Sequence, residues 1–151
     1  MMWNDLITNR ALIAGLAAMC LAQLMKPFCY FWVEHQWDWL QIFSSGGMPS
    51  SHSALITATT TVIGFQSGFN STVFALGLVV MIIVTYDAAN VRWQSGLHAQ
   101  KINQLIRDVF RGEPISEETL KEVIGHTPRQ VYAGIVLGII VGIVLEQIWT
   151  L

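Results

Sequence analysis

The sequence predicts an all-α integral membrane protein: a helical bundle with about four transmembrane helices and one or two short amphipathic helices in the loop 92–126. Three observations carry this. The chain is 53% hydrophobic and only 12% charged, where soluble domains are about a quarter charged. The stretches Thr72 to Tyr86 and Val131 to Leu145 contain no charged residue and no polar face, which argues against a soluble helical core. Six Trp and three Tyr suit rings anchored at a membrane interface.

Four apolar segments follow in order. The first runs from Ala11 to Met25, interrupted only by Gln23. The second, Ser53 to Phe65, is rich in Thr. The third is Thr72 to Tyr86, and the fourth is Val131 to Leu151, with Glu146 near its end. Each is short against the ~20 residues of a full span, so flanking aromatic and polar turns complete them. Ala14, Ala18 and Ala22 share one helical face of the first segment. Gly134, Gly138 and Gly142 share one face of the last. Small residues let helix backbones approach closely in a bilayer, within one chain or between two copies of it in a homo-oligomer.

Between the third and fourth segments, Ile102, Leu105, Ile106, Val109 and Phe110 form an apolar stripe at helical spacing, with Arg107, Asp108 and Arg111 off it. This predicts an amphipathic helix on the membrane surface or packed on the bundle. Gly112 to Pro114 ends it, and Ser116 followed by Glu117, Glu118 and Thr119 has the pattern of a second helix start. Thr127-Pro128 reads as a cap and first-turn proline opening the last span.

Four spans place the N-terminus, the Gln66–Ser71 turn and the C-terminus on one face, and the loops Lys26–His52 and Asp87–Gln130 on the other. Of eight basic residues, Lys26, Arg92, Lys101, Arg107, Arg111, Lys121 and Arg129 fall on the second face and Arg10 on the first. Lys and Arg mark the cytoplasmic side, so both long loops are expected there. The 151 residues suffice for one domain, 1–151. A net charge of −2 gives no reason to expect a nucleic-acid partner. Cys20 and Cys29 have neither metal-ligand nor disulfide-framework spacing and read as small hydrophobes. The first residues do not read as a signal peptide, because Asp5 precedes the first basic residue, Arg10, and no small-residue cleavage site follows the apolar run.

The chemistry-bearing residues lie in the two long loops. The first contains Ser44-Ser45-Gly46-Gly47-Met48-Pro49-Ser50-Ser51-His52-Ser53. Glycines let backbone amides approach an anion. Pro49 fits the first turn of a helix, and Ser50 and Ser51 then lie at a helix N-terminus, where phosphate binds. His52 exchanges a proton near neutral pH. The same residue types also suit a flexible loop with a capping serine. The second loop opens with Asp87, Arg92 and His98, followed by Lys101 and Asn103. Arg92 offers a bidentate fork for phosphate oxygens, His98 an imidazole nitrogen able to attack phosphorus, and Asp87 a carboxylate at a membrane-helix end that needs a partner. Lys26 reads equally as a snorkelling anchor.

Taken together, Lys26-Pro27, Gly47-Met48-Pro49-Ser50-Ser51-His52, and Arg92 with His98 six residues later resemble the three signature blocks of the phosphatidic acid phosphatase type 2 superfamily, which also contains the vanadium haloperoxidases. The wider pattern is similar to its small divergent bacterial and plant branch, the acid phosphatase/vanadium-dependent haloperoxidase-related proteins. That pattern includes Tyr86 to Ala89, Val91-Arg92, and Thr127 to Val131 before a Gly-rich helix. The resemblance covers nearly the whole chain.

The resemblance implies a membrane hydrolase acting on a lipid phosphate or prenyl diphosphate, in a bacterial inner membrane, with no metal or other cofactor; the bias of Lys and Arg sets its site at the cytoplasmic face. It implies that His98 attacks phosphorus to form a phosphohistidine and that His52 protonates the leaving alcohol. Lys26, Ser50, Ser51 and Arg92 would hold the phosphate. Two positions depart from the superfamily's pattern. No Arg follows Lys26 in the first block, and Ile102 stands where the third block has an Asp orienting the nucleophile; Asp87 and Asn103 are the substitutes within reach in sequence. The second reading is therefore a phosphate- or phospholipid-binding membrane protein without hydrolysis, with a regulatory or assembly role.

Overall fold

A computed structural model describes residues 2–44, 46–109 and 127–151. Among these the chain forms six α-helices, α1 (Met2–Ile7), α2 (Arg10–Glu34), α3 (Ser51–Ser67), α4 (Thr72–Tyr86), α5 (Arg92–Val109) and α6 (Pro128–Thr150), with a 3-10 helix at Trp39–Phe43 and a π-helical turn at Asp87–Val91. The fold is all-α, as expected. Three helical segments are long and apolar enough to cross a membrane: Arg10–Glu34, Thr72–Asn90 and Pro128–Thr150.

The second apolar segment of the sequence, α3, is the centre of the bundle and packs against α2, α4 and α6. Its 17 residues rise about 25 Å. At one end the Ser50 amide donates to the Gln130 carbonyl at 2.9 Å, joining the starts of α3 and α6. At the other end the Gln66 amide donates to Glu146 at 3.3 Å, and Arg10 lies 3.8 Å from the same carboxylate. So α3 runs parallel to α6 and antiparallel to α2. The ends of α2 and α4 and the starts of α3 and α6 share one end of the bundle.

Small residues make this packing close. A side chain at Gly134 would run into the Ser50 carbonyl, and one at Gly138 would lie 2.6 Å from the Ala54 carbonyl. One at Gly142 would lie 2.9 Å from Thr61 Cβ. On α2, Ala11, Ala14, Ala18 and Ala22 are buried, and Gly15 abuts Thr59 Oγ1. Both small-residue faces are thus filled by helices of the same chain. Three threonine hydroxyls of α3 are satisfied within the helix: Thr59, Thr60 and Thr61 donate to the carbonyls of Leu55, Ile56 and Thr57 at 2.8–2.9 Å. By contrast α4 has no buried residue.

Two boundaries differ from the expected ones. The first apolar segment does not end at Met25: α2 continues through Pro27 to Glu34. Proline removes one backbone donor and crowds the carbonyl four residues back, here that of Gln23, yet the helix resumes because its next two turns are aromatic and held. Trp37 stacks on Phe31 at 4.5 Å between centroids, and Phe28 meets Trp37 edge-on at 5.7 Å. The helix stops at His35, in the left-handed region with φ 56°. Pro49, expected in a first helical turn, stands before the cap, since α3 begins at Ser51 with Ser50 as its N-cap. The amphipathic helix of the second loop is α5, on which Ile102 and Leu105 are exposed. The expected helix start at Ser116, the break at Gly112 to Pro114, and Phe110, Arg111 and Lys121 lie outside the described residues.

Candidate functional site

At the end of the bundle where α3 and α6 begin lies a cleft of about 320 Å³, lined by Lys26, Tyr30 and Glu34 of α2, Gln41 of the 3-10 helix, Gly47 and Met48 of the serine-glycine loop, and Gln130 of α6, with Cys29 and Val33 alongside. Lys26, Tyr30 and Glu34 recur every fourth residue, one face of the helix. Lys26 is 2% exposed. Its Nζ donates to the Ser44 carbonyl at 2.6 Å, and no carboxylate pairs with it among the described residues.

The loop is shaped around that lysine. Gly47 adopts φ +88°, open to glycine and strained for other residues, and its Cα lies against the Lys26 stem, where an added Cβ would sit 3.6 Å from Cδ. Ser44 closes the loop's entry, its hydroxyl within 2.9 Å of the Gln41 carbonyl and 3.0 Å of the Gly46 carbonyl. At its exit the Ser50 hydroxyl accepts from the Ser53 amide at 3.4 Å and the Ser53 hydroxyl at 3.0 Å. Such a cap satisfies one of the free amides that begin a helix.

From the other side, α6 begins with a reciprocal capping box. The Thr127 hydroxyl accepts from the Gln130 amide at 3.4 Å, and the Gln130 side-chain oxygen accepts from the Thr127 amide at 3.0 Å. Two helix N-termini, each with a partial positive charge, are thereby joined through Ser50 and Gln130 beside a buried ammonium.

The divergent PAP2 family matches residues 7–141, a span that takes in the lysine, the serine-glycine loop, the Asp87–His98 stretch and the start of α6. The chain belongs to the divergent PAP2 family. It is also 37% identical over 152 residues to YuiD of Bacillus subtilis (strain 168), an uncharacterised membrane protein, with 93% of this chain and 96% of YuiD covered. No solved structure matches. The chain is a membrane protein with three candidate transmembrane helices among its described residues.

In this divergent PAP2 protein the residues singled out in the sequence separate into two groups. Lys26, the loop around Gly47, and Ser50 and Ser51, both buried, gather at the cleft end of the bundle, with His52 exposed on the first turn of α3. The second group follows α4. Asp87 is half-buried in the π-helical turn, which packs against α4, α5 and α6. Asp87 and Asn103 are both engaged in polar interactions. Arg92 opens α5, and its side chain lies outside the described residues. His98 is exposed on α5, and among the described residues no hydrogen bond joins it to His52. Ile102, one turn beyond, is 43% exposed.

Sequence reasoning passed over Tyr30, Glu34, Gln41 and Gln130. The first two were hidden by ending the first apolar segment at Met25. The signal for Gln130 was the Thr127-x-x-Gln130 spacing of a capping box.

Proposed function

We propose that this protein is a membrane phosphatase that hydrolyses a lipid phosphate or prenyl diphosphate at the cytoplasmic face of a bacterial inner membrane. One observation carries the reading: Lys26 is buried at a cleft with a single carbonyl as partner and no counter-ion among the described residues. An uncompensated ammonium away from water costs several kcal/mol, and a phosphate in the cleft supplies the missing charge. Gly47 backbone and the starts of α3 and α6 add donors beside it. In this reading α3 is a fourth span, short of the ~30 Å hydrocarbon core and sheltered inside the bundle.

The chemistry follows the family roles. Neutral His98 attacks phosphorus through a ring nitrogen, forming a P–N bond. The P–O bond to the leaving group, an alcohol or a prenyl phosphate, breaks as His52 delivers a proton to that oxygen. Water then attacks the phosphohistidine and gives a proton to His52, the P–N bond breaks, and inorganic phosphate leaves. Lys26, Ser50, Ser51 and Arg92 hold the phosphate, and Asp87 steadies Arg92 or the imidazole. Positioning and charge stabilisation do most of the work in phosphoryl transfer.

A second reading, a phosphate- or phospholipid-binding membrane protein without hydrolysis and with a regulatory or assembly role, is favoured by exposed Ile102 in the place of an orienting carboxylate. Purified protein incubated with a panel of phosphatidates and prenyl diphosphates decides between them. Release of inorganic phosphate, abolished in His98→Ala while phosphate binding persists, supports the enzyme. Lys26-dependent binding with no release from any member of the panel supports the binder.

A further inference from the structure

Gln130 does three things at once. Its carbonyl accepts the Ser50 amide at 2.9 Å, seating the serine loop on α6. Its side-chain oxygen accepts the Thr127 amide at 3.0 Å, completing the cap. It also lines the cleft with Lys26 and Gly47. With the side-chain oxygen committed to the cap, what Gln130 has left to offer the cleft is its NH₂ group, a donor only. Directly behind it, Gly134 leaves no room between α6 and the Ser50 carbonyl, so the height of the loop above the cleft is set by this turn of α6.

We propose that Gln130 is a further anion-binding residue of this cleft, donating through Nε2 to the phosphate that Lys26 attracts and holding the serine loop in place through its carbonyl. The proposal rests on the phosphate-site reading above and adds to it a residue of the last helix.

A capping box accepts Glu as well as Gln at its third position. Gln130→Glu therefore keeps the cap oxygen and the backbone acceptor while replacing the donor with a negative charge. Binding of inorganic phosphate to the full chain in detergent micelles, measured by calorimetry, is compared for wild type, Lys26→Met and Gln130→Glu, with thermal unfolding of each. The expected result is an unchanged melting temperature for Gln130→Glu and phosphate affinity reduced at least ~10-fold, the scale of a lost hydrogen bond to a charged group. Wild-type affinity in Gln130→Glu, with Lys26→Met impaired, overturns the role of Gln130 and leaves the phosphate site standing. If wild type binds no phosphate, the site and the proposal fall together. If Gln130→Glu does not fold, Gln130→Met, which also removes the cap oxygen, is read against Thr127→Val, which breaks the other half of the cap: binding no weaker than that of Thr127→Val overturns the donor role, and binding weakened beyond it supports the role.

Discussion

Ile102 and His98 are four residues apart on α5, hence neighbours on one helix face, and Ile102 is exposed enough to accept a polar side chain without disturbing a core. Ile102→Asp therefore tests whether the missing carboxylate limits the protein. If His98 is the nucleophile, the new carboxylate orients its ring and raises the rate of phosphate release by on the order of tenfold, the scale of losing or gaining such a partner. No change in rate would count against His98 as the attacking group. At this scale the sequence was informative in kind but not in state. Lys26, Ser50 and His52 were legible as residue types suited to phosphate. That Lys26 is sealed against Ser44 while His52 faces outward depends on how α2 and the loop fold over each other, and no local pattern encodes that. The cap formed by Gln130 had a signal in the Thr127-x-x-Gln130 spacing, but its place at the cleft comes from an amide 80 positions earlier in the chain, that of Ser50.

Among the elements, α3 and α6 meet through three glycines, of which Gly138 is the middle one. A methyl there meets the Ala54 carbonyl at 2.6 Å and Thr57 Cβ at 2.7 Å. Gly138→Ala should destabilise the bundle by about 1–3 kcal/mol, the usual penalty of overpacking, read as a lowered melting temperature in detergent. Leu76→Ala on the exposed face of α4 should change it little; equal effects would show that α4 is covered by something else. Three of the four apolar segments were legible within a few residues, because runs such as Thr72 to Tyr86 leave no other reading. The extension of α2 was not. Lys26-Pro27 carries the local signature of a helix end, and ring contacts of Phe28 and Phe31 with Trp37, residues separated by the helix stop, hold the final turns.

The whole molecule carries its basic residues unevenly. Arg10 stands alone at the far end beside Glu146 and the Trp149 ring, 5.8 Å from its centroid, while Lys26 and Arg129 belong to the cleft end. Orientation in the membrane follows that bias. In a background with Cys20 and Cys29 replaced by Ala, a cysteine at Asn70, in the exposed turn between α3 and α4, should react with an impermeant reagent in intact cells. One at Glu117 should react only after permeabilisation; the reverse pattern would invert the topology. The parallel seating of α3 on α6 also bears on how the protein is made. A helix as short and as rich in Thr as α3 gains little from leaving the translocon alone, and during synthesis only α2 and α4 are at hand to escort it into the lipid. Its largest partner, α6, is translated long after Ser67 has left the ribosome. Until then Ser53, Thr57 and Thr61 face no neighbour on that side, and the Ser50 amide has no acceptor from α6. The serine-glycine loop is thus among the last parts of the molecule to be finished, and a nascent chain halted before Thr127 would carry Lys26 and His52 with nothing on α6 to seat the serines beside them.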